Sequence, residues 1–208
     1  YWLFPNQDRL NSNVVHSGAQ RLYKHEIEWM KKDAAVMERV LRSYKLMLDF
    51  YGMILVDAET GAVERRPVGE YESRYRNLNT SSHNYLRITR IMKNLGDLGH
   101  EHYKVAWLKF LIEEIITGTG SGKNELINCT RSLKEYWIET VRDDDVRAEL
   151  KVQIAKQLEV KRKSAMDAGA ASATTTGEKK PLETEDPAVL ASAVKKARIA
   201  PDENHHHS

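Results

Sequence analysis

Apolar residues recur at spacings of three and four along most of this chain, and that helical period restricts the possible folds more than any other feature of the sequence. The clearest stripe consists of Val36, Val40, Tyr44, Met47 and Tyr51. Charged residues fall between these positions, on what would be the opposite face of a helix. Gly52 follows the stripe and predicts the end of that helix. The pattern is typical of amphipathic helices that bury one face against a shared core.

Two further apolar segments carry the same period. One helix is predicted after Ser81 or Ser82, either of which can cap it. Its buried stripe consists of Tyr85, Ile88, Met92 and Leu95. The segment 103–116 is apolar over most of its circumference, so we expect the central helix of the domain there.

The last two helices are predicted after a Gly-rich break at residues 117–122. The first of them carries an apolar stripe of Leu126, Cys129, Leu133, Tyr136 and Trp137. The acidic run 143–145 opens the second, because acidic side chains favour a helix N-terminus. Its apolar face consists of Val146, Leu150, Ile154 and Leu158.

One short segment departs from the helical period. Residues 53–56 form a continuous apolar run, and a turn at 57–61 separates that run from Val63, which is the pattern of a short β-hairpin. Together these patterns predict an all-α fold, a single multi-helix globular domain that carries at most one short β-hairpin.

The composition changes after Leu158. All 16 aromatic residues (3 Phe, 4 Trp and 9 Tyr) lie at or before Trp137. The later residues are Lys and Arg, then Ala, Ser, Thr and Gly, then an acidic stretch with Pro. Such a segment buries too little apolar surface to offset about 1–2 kcal/mol of backbone ordering per residue. We therefore predict one domain over residues 1–160 and a disordered tail over residues 161–208.

Three features of the whole chain exclude classes of protein. The longest apolar stretch, residues 107–116, contains Lys109, Glu113 and Glu114, and no run reaches the roughly 20 apolar residues of a membrane-spanning helix. The 32 Lys and Arg nearly balance the 30 Asp and Glu, which argues against a nucleic-acid-binding protein. A single cysteine, Cys129, rules out a disulfide framework within the chain.

The motifs contain no catalytic or cofactor site. The segment 118–122 resembles a phosphate loop, but that loop needs glycine where Thr117 stands and a hydroxyl where Asn124 stands. His100 and His102 are two residues apart, so on one helix their imidazoles would point away from each other. The single cysteine has no histidine base near it in the sequence. We therefore expect a binding protein without cofactor or metal, and not an enzyme.

The most suggestive polar cluster consists of His83, Asn84, Arg87 and Arg90. A helix cap followed by a solvated basic face is one interpretation. A second is a recognition surface for a peptide or partner, because two guanidinium groups one turn apart can hold a carboxylate or a phosphate. Nucleic-acid binding is a third interpretation, which the balanced charge disfavours.

Two short basic clusters lie in the predicted tail. They consist of Lys161, Arg162 and Lys163, and of Lys195, Lys196 and Arg198. Exposed basic clusters in a disordered segment are typical of nuclear localisation signals, which import receptors bind. Solvated charge without a partner is the alternative.

Four blocks of this sequence occur together in one known family. The chain opens with Tyr1-Trp-Leu-Phe-Pro-Asn6, residues 44–52 read Tyr-Lys-Leu-Met-Leu-Asp-Phe-Tyr-Gly, and residues 83–96 form a longer block that Leu78-Asn79 precedes. Residues 136–142 close the series just before the acidic run. In order and spacing, these blocks resemble the conserved domain of the opioid growth factor receptor family, over about residues 1–157.

The resemblance implies a non-enzymatic receptor for the opioid growth factor, the pentapeptide Met-enkephalin, which acts as a negative regulator of cell proliferation. It also implies a place in the nucleus and perinuclear cytoplasm, in association with the nuclear envelope. Because no membrane-spanning run is present, that association would be peripheral or through a partner. A helical protein-interaction adaptor that enters the nucleus is the alternative. The family domain begins some tens of residues upstream of Tyr1, so we expect this chain to lack an N-terminal portion of the fold.

Overall fold

The computed structural model of the protein describes residues 3–7, 21–118 and 126–174. The chain divides into two units, residues 1–164 and residues 165–208. Seven α-helices and a two-stranded antiparallel hairpin occur in the described ranges, so the predicted all-α class and the single short hairpin are confirmed. No helix in these ranges combines the length and apolar character needed to cross a bilayer.

Five helices and the hairpin come first along the chain. The helices are α1 Lys24–Lys32, α2 Ala34–Phe50, α3 Glu72–Thr80, α4 His83–Asp97 and α5 Glu101–Ile112. The strands β1 Met53–Leu55 and β2 Val63–Arg65 lie between α2 and α3. The remaining elements are a π-helical turn Glu113–Thr117, a 3₁₀ turn Ile127–Cys129, α6 Thr130–Ser132, a second π-helical turn Leu133–Trp137, a 3₁₀ turn Ile138–Thr140 and α7 Asp144–Thr174.

Helix α2 buries the stripe that the sequence predicted. The five residues of that stripe are all buried or half-buried: Val36, Val40, Tyr44, Met47 and Tyr51. Asp33 begins the helix, because its Oδ1 accepts the backbone N–H of Ala35 at 2.9 Å and that of Val36 at 3.1 Å. Gly52 ends it with a φ of +83°, a conformation that other residues rarely adopt.

The hairpin packs through its turn against α5. Its register pairs Met53 with Arg65 and Leu55 with Val63. The hydroxyl of Tyr103, in α5, donates to the carbonyl oxygen of Ala58 in the turn at 2.7 Å. This bond fixes the position of the hairpin on the central helix.

Helix α4 begins one residue after Ser82, as predicted, but the side chain of Ser82 makes no capping bond. The predicted stripe of this helix is buried at Ile88, Met92 and Leu95, whereas Tyr85 is half-buried. Helix α5 is the centre of the core, as the sequence indicated. Five of its residues have no exposed area: Lys104, Trp107, Leu108, Leu111 and Ile112.

The segment 127–140 differs from the regular helix that the sequence predicted. It consists of short 3₁₀, α and π pieces, and Leu133 and Trp137 are buried while Tyr136 is exposed. A π-helical turn holds more residues than an α-helical turn, so side chains that follow a 3.6-residue period do not all keep to one face. The position of Tyr136 on the apolar stripe was therefore wrong.

Helix α7 opens at the acidic run, as predicted. The side chain of Asp143 accepts the backbone N–H groups of Asp145 and Val146, each at 3.0 Å. Leu150 and Ile154 are buried. The helix continues to Thr174, so residues 161–174 are helical where the sequence predicted a disordered tail. Ala, Lys, Arg and Met are strong helix formers, and a helix that has already begun can extend through them.

Candidate functional site

A surface cleft lies where the end of α2 meets α4 and the N-terminal residues of the chain. Its volume is about 220 Å³. Seven described residues line it: Leu3, Phe4, Met47, Phe50, Arg87, Arg90 and Ile91. We call this feature the α2–α4 cleft.

The walls of the α2–α4 cleft are apolar. Phe4 and Ile91 are buried. Leu3 is 51% exposed and Phe50 is 42% exposed, so two large apolar side chains stand at its rim in contact with solvent. The ring of Phe50 packs edge-on against that of Tyr51, with 5.3 Å between centroids. Exposed apolar surface grouped around a concavity is typical of a binding site.

Two cations complete the cleft. Arg87 and Arg90 lie one turn apart on α4, so their side chains are neighbours on the same face. Nη1 of Arg87 donates to Oδ1 of the buried Asn84 at 3.1 Å, which holds the guanidinium in place. Burial raises the pKa of Tyr51, and the charge of Arg87 acts in the opposite direction.

The structure brings together only part of the polar cluster that the sequence proposed. Arg87 and Arg90 line the cleft, and Asn84 supports Arg87 from below. His83 is exposed at the first residue of α4 and is not among the described residues that line the cleft. Sequence reasoning missed the apolar walls. Phe50 did carry a signal, because it lies off the buried stripe of α2.

A second groove lies on the other side of Phe50. Its volume is about 360 Å³, and its described lining residues are Leu46, Asp49, Phe50, Ser73, Arg74 and Asn77. The carboxylate of Asp49 accepts from Arg66 at 2.5 Å and from Arg74 at 2.8 Å. The charge of Asp49 is therefore already compensated by two arginines.

The single cysteine is buried, and the paired histidines lie close together. Burial raises the pKa of Cys129 to about 12, so its thiol carries a proton at neutral pH. The sequence analysis placed both histidines on one helix, but His100 precedes α5. Its ring centroid lies 5.9 Å from that of His102. Among the described residues, no group of three or more His, Cys, Asp or Glu side chains could hold a metal ion.

The first basic cluster lies on α7 and not in a disordered segment. Lys161, Arg162 and Lys163 are exposed there. Nζ of Lys161 donates to the carbonyl oxygen of Ile116 at 2.9 Å. Lys195, Lys196 and Arg198 lie outside the described residues.

Comparison with known proteins identifies relatives over most of the chain. The family model described as the opioid growth factor receptor conserved region matches residues 1–170. The chain is 41% identical to the opioid growth factor receptor of Mus musculus and 40% identical to that of Homo sapiens, in each case over 149 residues. It is also 40% identical over 149 residues to opioid growth factor receptor-like protein 1 of Mus musculus.

These matches cover 72% of this chain but only 20% to 30% of each relative. The chain therefore spans less than a third of the length of the curated relatives it matches. No solved structure matches it. The family match over residues 1–170 and the identities to named receptors show that this chain belongs to the opioid growth factor receptor family.

Proposed function

We propose that this domain is a non-enzymatic peptide-binding receptor and that its ligand is the opioid growth factor, the pentapeptide Met-enkephalin. The observation that carries the proposal is the α2–α4 cleft, whose apolar walls stand beside two guanidinium groups in a chain of this family. Ligand sites typically combine a mostly apolar lining with a few polar groups that fix orientation. A short peptide with apolar side chains and charged ends suits such a site.

The size of the cleft limits how much of the peptide it holds. Its volume of about 220 Å³ is below the range of about 300–1,000 Å³ that is usual for small-molecule sites. One or two residues of a pentapeptide fit, and the remainder would cross Phe50 toward the second groove. Because Asp49 in that groove is already paired with two arginines, we expect the peptide to gain little binding energy from that carboxylate.

Calorimetric titration of Met-enkephalin into the intact chain tests the proposal. We expect saturable heat and one site per chain. Met47→Trp should fill the cleft and weaken binding by about 10- to 100-fold, the effect of excluding one apolar side chain. Leu86→Trp is the matched control, because Leu86 is exposed on α4 and is not among the described lining residues. No heat at millimolar peptide would contradict the proposal.

In the cell, we place this receptor in the nucleus and perinuclear cytoplasm, at the nuclear envelope, as a negative regulator of proliferation. The family relationship and the two basic clusters support this role. Residues 159–200 attached to an inert cargo should carry that cargo into the nucleus. Gln substitutions in residues 161–163 and in residues 195–198, made separately, would assign the signal to one cluster. Cytoplasmic retention of the unsubstituted fusion would count against import by these residues.

A helical adaptor is the second candidate, and the surface of α1 favours it. Trp29 is 67% exposed and Tyr23 is 55% exposed. The ring of His25 lies between them, 5.8 Å from the ring of Tyr23 and 5.2 Å from that of Trp29. Exposed aromatic groups are enriched where proteins bind one another.

Affinity capture distinguishes the adaptor from the peptide receptor. Trp29→Ala should remove an adaptor's partner while Met-enkephalin binding stays intact. A variant with Arg87→Ala and Arg90→Ala should do the reverse. Identical partners and identical peptide binding for all three chains would exclude both surfaces.

A further inference from the structure

A serine directly follows the first basic cluster on α7. Lys161, Arg162 and Lys163 are the only run of three consecutive Lys or Arg residues in the sequence, and Ser164 comes next. All four residues are exposed. A protein kinase with an acidic substrate groove selects a hydroxyl that follows basic residues, because the opposite charges bring the two surfaces together. Ser164 therefore has the sequence context of a kinase acceptor.

We infer that Ser164 is a phosphorylation site for a kinase of this basic-directed class and that Lys161 holds the phosphate. The kinase transfers the γ-phosphoryl group of ATP to Oγ of Ser164. The Oγ–P bond forms, the bond from the γ-phosphorus to the bridging oxygen breaks, and ADP leaves. The hydroxyl proton passes to the catalytic carboxylate of the kinase.

The segment that carries Ser164 is placed to open locally, as a kinase requires. Oγ of Ser164 donates to the carbonyl oxygen of Val160 at 3.1 Å, so the hydroxyl is engaged within the helix. Leu158 packs against the core, but residues 159–164 are all exposed. A helical segment with few buried apolar contacts opens at a lower free energy than the whole domain. The chain around Ser164 can therefore become extended while the domain stays folded.

Ser164 also lines a groove whose described charges are all positive. The volume of this groove is about 500 Å³, and its described lining residues are Thr117, Lys156, Gln157, Val160, Lys161 and Ser164. None of these described residues carries a carboxylate. Nζ of Lys161 donates to the carbonyl oxygen of Ile116 at 2.9 Å. That acceptor is neutral, so the bond leaves the charge of Lys161 uncompensated.

Lys161 is the cation best placed for a phosphate on Ser164, because residues three positions apart on a helix are neighbours on its surface. A phosphoserine carries a charge of about −1.5 to −2 at neutral pH. A phosphate oxygen is therefore a stronger acceptor for the ammonium group of Lys161 than the neutral carbonyl oxygen of Ile116. Phosphorylation transfers Lys161 from that carbonyl to the phosphate.

The phosphate changes the basic cluster that we propose as a nuclear localisation signal. It lowers the net charge of residues 161–164, and it engages one of the three cations. An import receptor that binds the cluster through its positive charge therefore binds the phosphorylated chain more weakly. This effect on import rests on the proposed function, whereas the modification site does not.

Incubation of the intact chain with ATP and the catalytic subunit of the cyclic-AMP-dependent kinase, which prefers basic residues before the acceptor, tests the site. Mass spectrometry of proteolytic fragments should locate phosphate at Ser164. Arg162→Gln combined with Lys163→Gln should lower its incorporation by at least about 10-fold, because the charge pairs with the kinase are lost. Ser82 is the internal control, since it is exposed and no Lys or Arg stands in the three positions before it. No phosphate at Ser164, or as much at Ser82, would overturn the inference.

The ³¹P resonance of the phosphorylated chain tests the contact with Lys161. The second ionisation of phosphoserine has an ordinary pKa of about 6. A bound ammonium group lowers this pKa, because the cation favours the dianion. Lys161→Gln should return the titration midpoint toward about 6, whereas Lys109→Gln, at an exposed position of α5, should leave it lowered. Equal midpoints in the Lys161 variant and the unchanged chain would overturn the role of Lys161.

Import into the nuclei of permeabilised cells tests the consequence. The probe is the full chain fused to a cargo too large to diffuse through nuclear pores, with Gln at Lys195, Lys196 and Arg198 so that only the first cluster acts. The phosphorylated fusion should enter about 10-fold more slowly, the effect of losing one charge-assisted contact. Ser164→Ala, treated with the same kinase, should enter at the rate of the untreated fusion.

The outcomes separate this inference from the proposed function. Import of the phosphorylated fusion at the unchanged rate would overturn the effect on the signal and keep the modification site. If neither form enters the nucleus, the first cluster is no import signal, and the effect on import is overturned with it. The mass spectrum decides the modification site in either case.

Discussion

Lys104 shows how burial and charge compete at a single residue. Its side chain has no exposed area, although it lies in the apolar segment that the sequence placed at the centre of the domain. Its Nζ donates to the carbonyl oxygen of Thr140 at 2.5 Å and pairs with Oε1 of Glu101 at 2.8 Å. Burial lowers the pKa of Lys104, and the bond to Glu101 acts in the opposite direction. The ammonium group is tolerated in the core because it has both partners.

We expect Lys104→Met to lower the free energy of unfolding by about 1–3 kcal/mol, because the carbonyl of Thr140 loses its donor and Glu101 loses its cation. Lys109→Met is the control, since Lys109 is exposed on the same helix and should change stability by less than about 0.5 kcal/mol. Urea denaturation followed by circular dichroism measures both. Equal midpoints for the two variants would mean that the buried ammonium contributes nothing to stability.

His100 should make stability depend on pH. Its ring is half-buried in the connection between α4 and α5 and lies 5.1 Å from the ring of Tyr103. Burial lowers the pKa of His100, and the neighbouring His102 lowers it further. The folded protein therefore favours the neutral imidazole, and the unfolded chain takes up a proton first as the pH falls. His100 therefore contributes to the free energy of unfolding above about pH 6.5, the ordinary pKa of a histidine. That contribution is lost as the pH falls toward the lowered pKa of His100.

We expect His100→Gln to flatten this pH dependence. Urea midpoints measured between about pH 7.5 and about pH 5 should fall less in the variant than in the unchanged chain, because the titrating group is gone. His83→Gln is the control, as His83 is exposed at the start of α4. If the urea midpoint of the His100 variant changes with pH as much as that of the unchanged chain, other groups cause the pH dependence.

The helices and the hairpin show which parts of a fold can be predicted from sequence. The period of α2 and the turn between β1 and β2 depend on residues close in the chain, so both were predictable. The segment 127–140 was not, because a π-helical turn leaves no mark on a 3.6-residue pattern until neighbouring elements impose it. The candidate site could also be predicted only in part. Arg87 and Arg90 were visible as a pair on one helix, but apart from Ile91 the apolar walls come from residues more than 35 positions away in the chain.

The hairpin turn provides a prediction about how one element packs on another. Gly61 and Gly69 both have positive φ, +80° and +91°. A Cβ added at Gly61 would lie 3.1 Å from Cα of Tyr103 in α5, whereas one added at Gly69 would meet nothing within 4 Å. The strain of a left-handed conformation is therefore common to both positions, and the crowding against α5 belongs to Gly61 alone.

We expect Gly69→Ala to cost about 1 kcal/mol of stability, from backbone strain alone. Gly61→Ala should cost at least about 1 kcal/mol more, because the turn must move away from α5. Chemical denaturation of the two variants gives the difference directly. If both lose the same amount, the turn is free to shift and does not fix the hairpin on the central helix.

At the scale of the whole molecule, the α2–α4 cleft joins parts that only folding brings together. Residues 3–4, the end of α2 and the middle of α4 all contribute to its walls. The unfolded chain has no such arrangement, so a ligand of the cleft binds the folded state alone. Ligand binding and domain stability are therefore linked, and one can be measured through the other.

We expect Met-enkephalin at about 100 times its dissociation constant to stabilise the intact chain by about 2.7 kcal/mol. For a chain of this size that corresponds to a rise of about 5–10 °C in Tm. Met47→Trp, which fills the cleft and weakens binding by about 10- to 100-fold, should keep only about 0.4–1.4 kcal/mol of this stabilisation at the same peptide concentration. Arg76→Gln should show the full rise, because Arg76 is exposed on α3 and is not among the described lining residues. Differential scanning calorimetry measures all three chains. Because the shift depends only on binding to the folded state, a rise in the Met47 variant equal to that of the unchanged chain would mean that the peptide binds elsewhere on the domain.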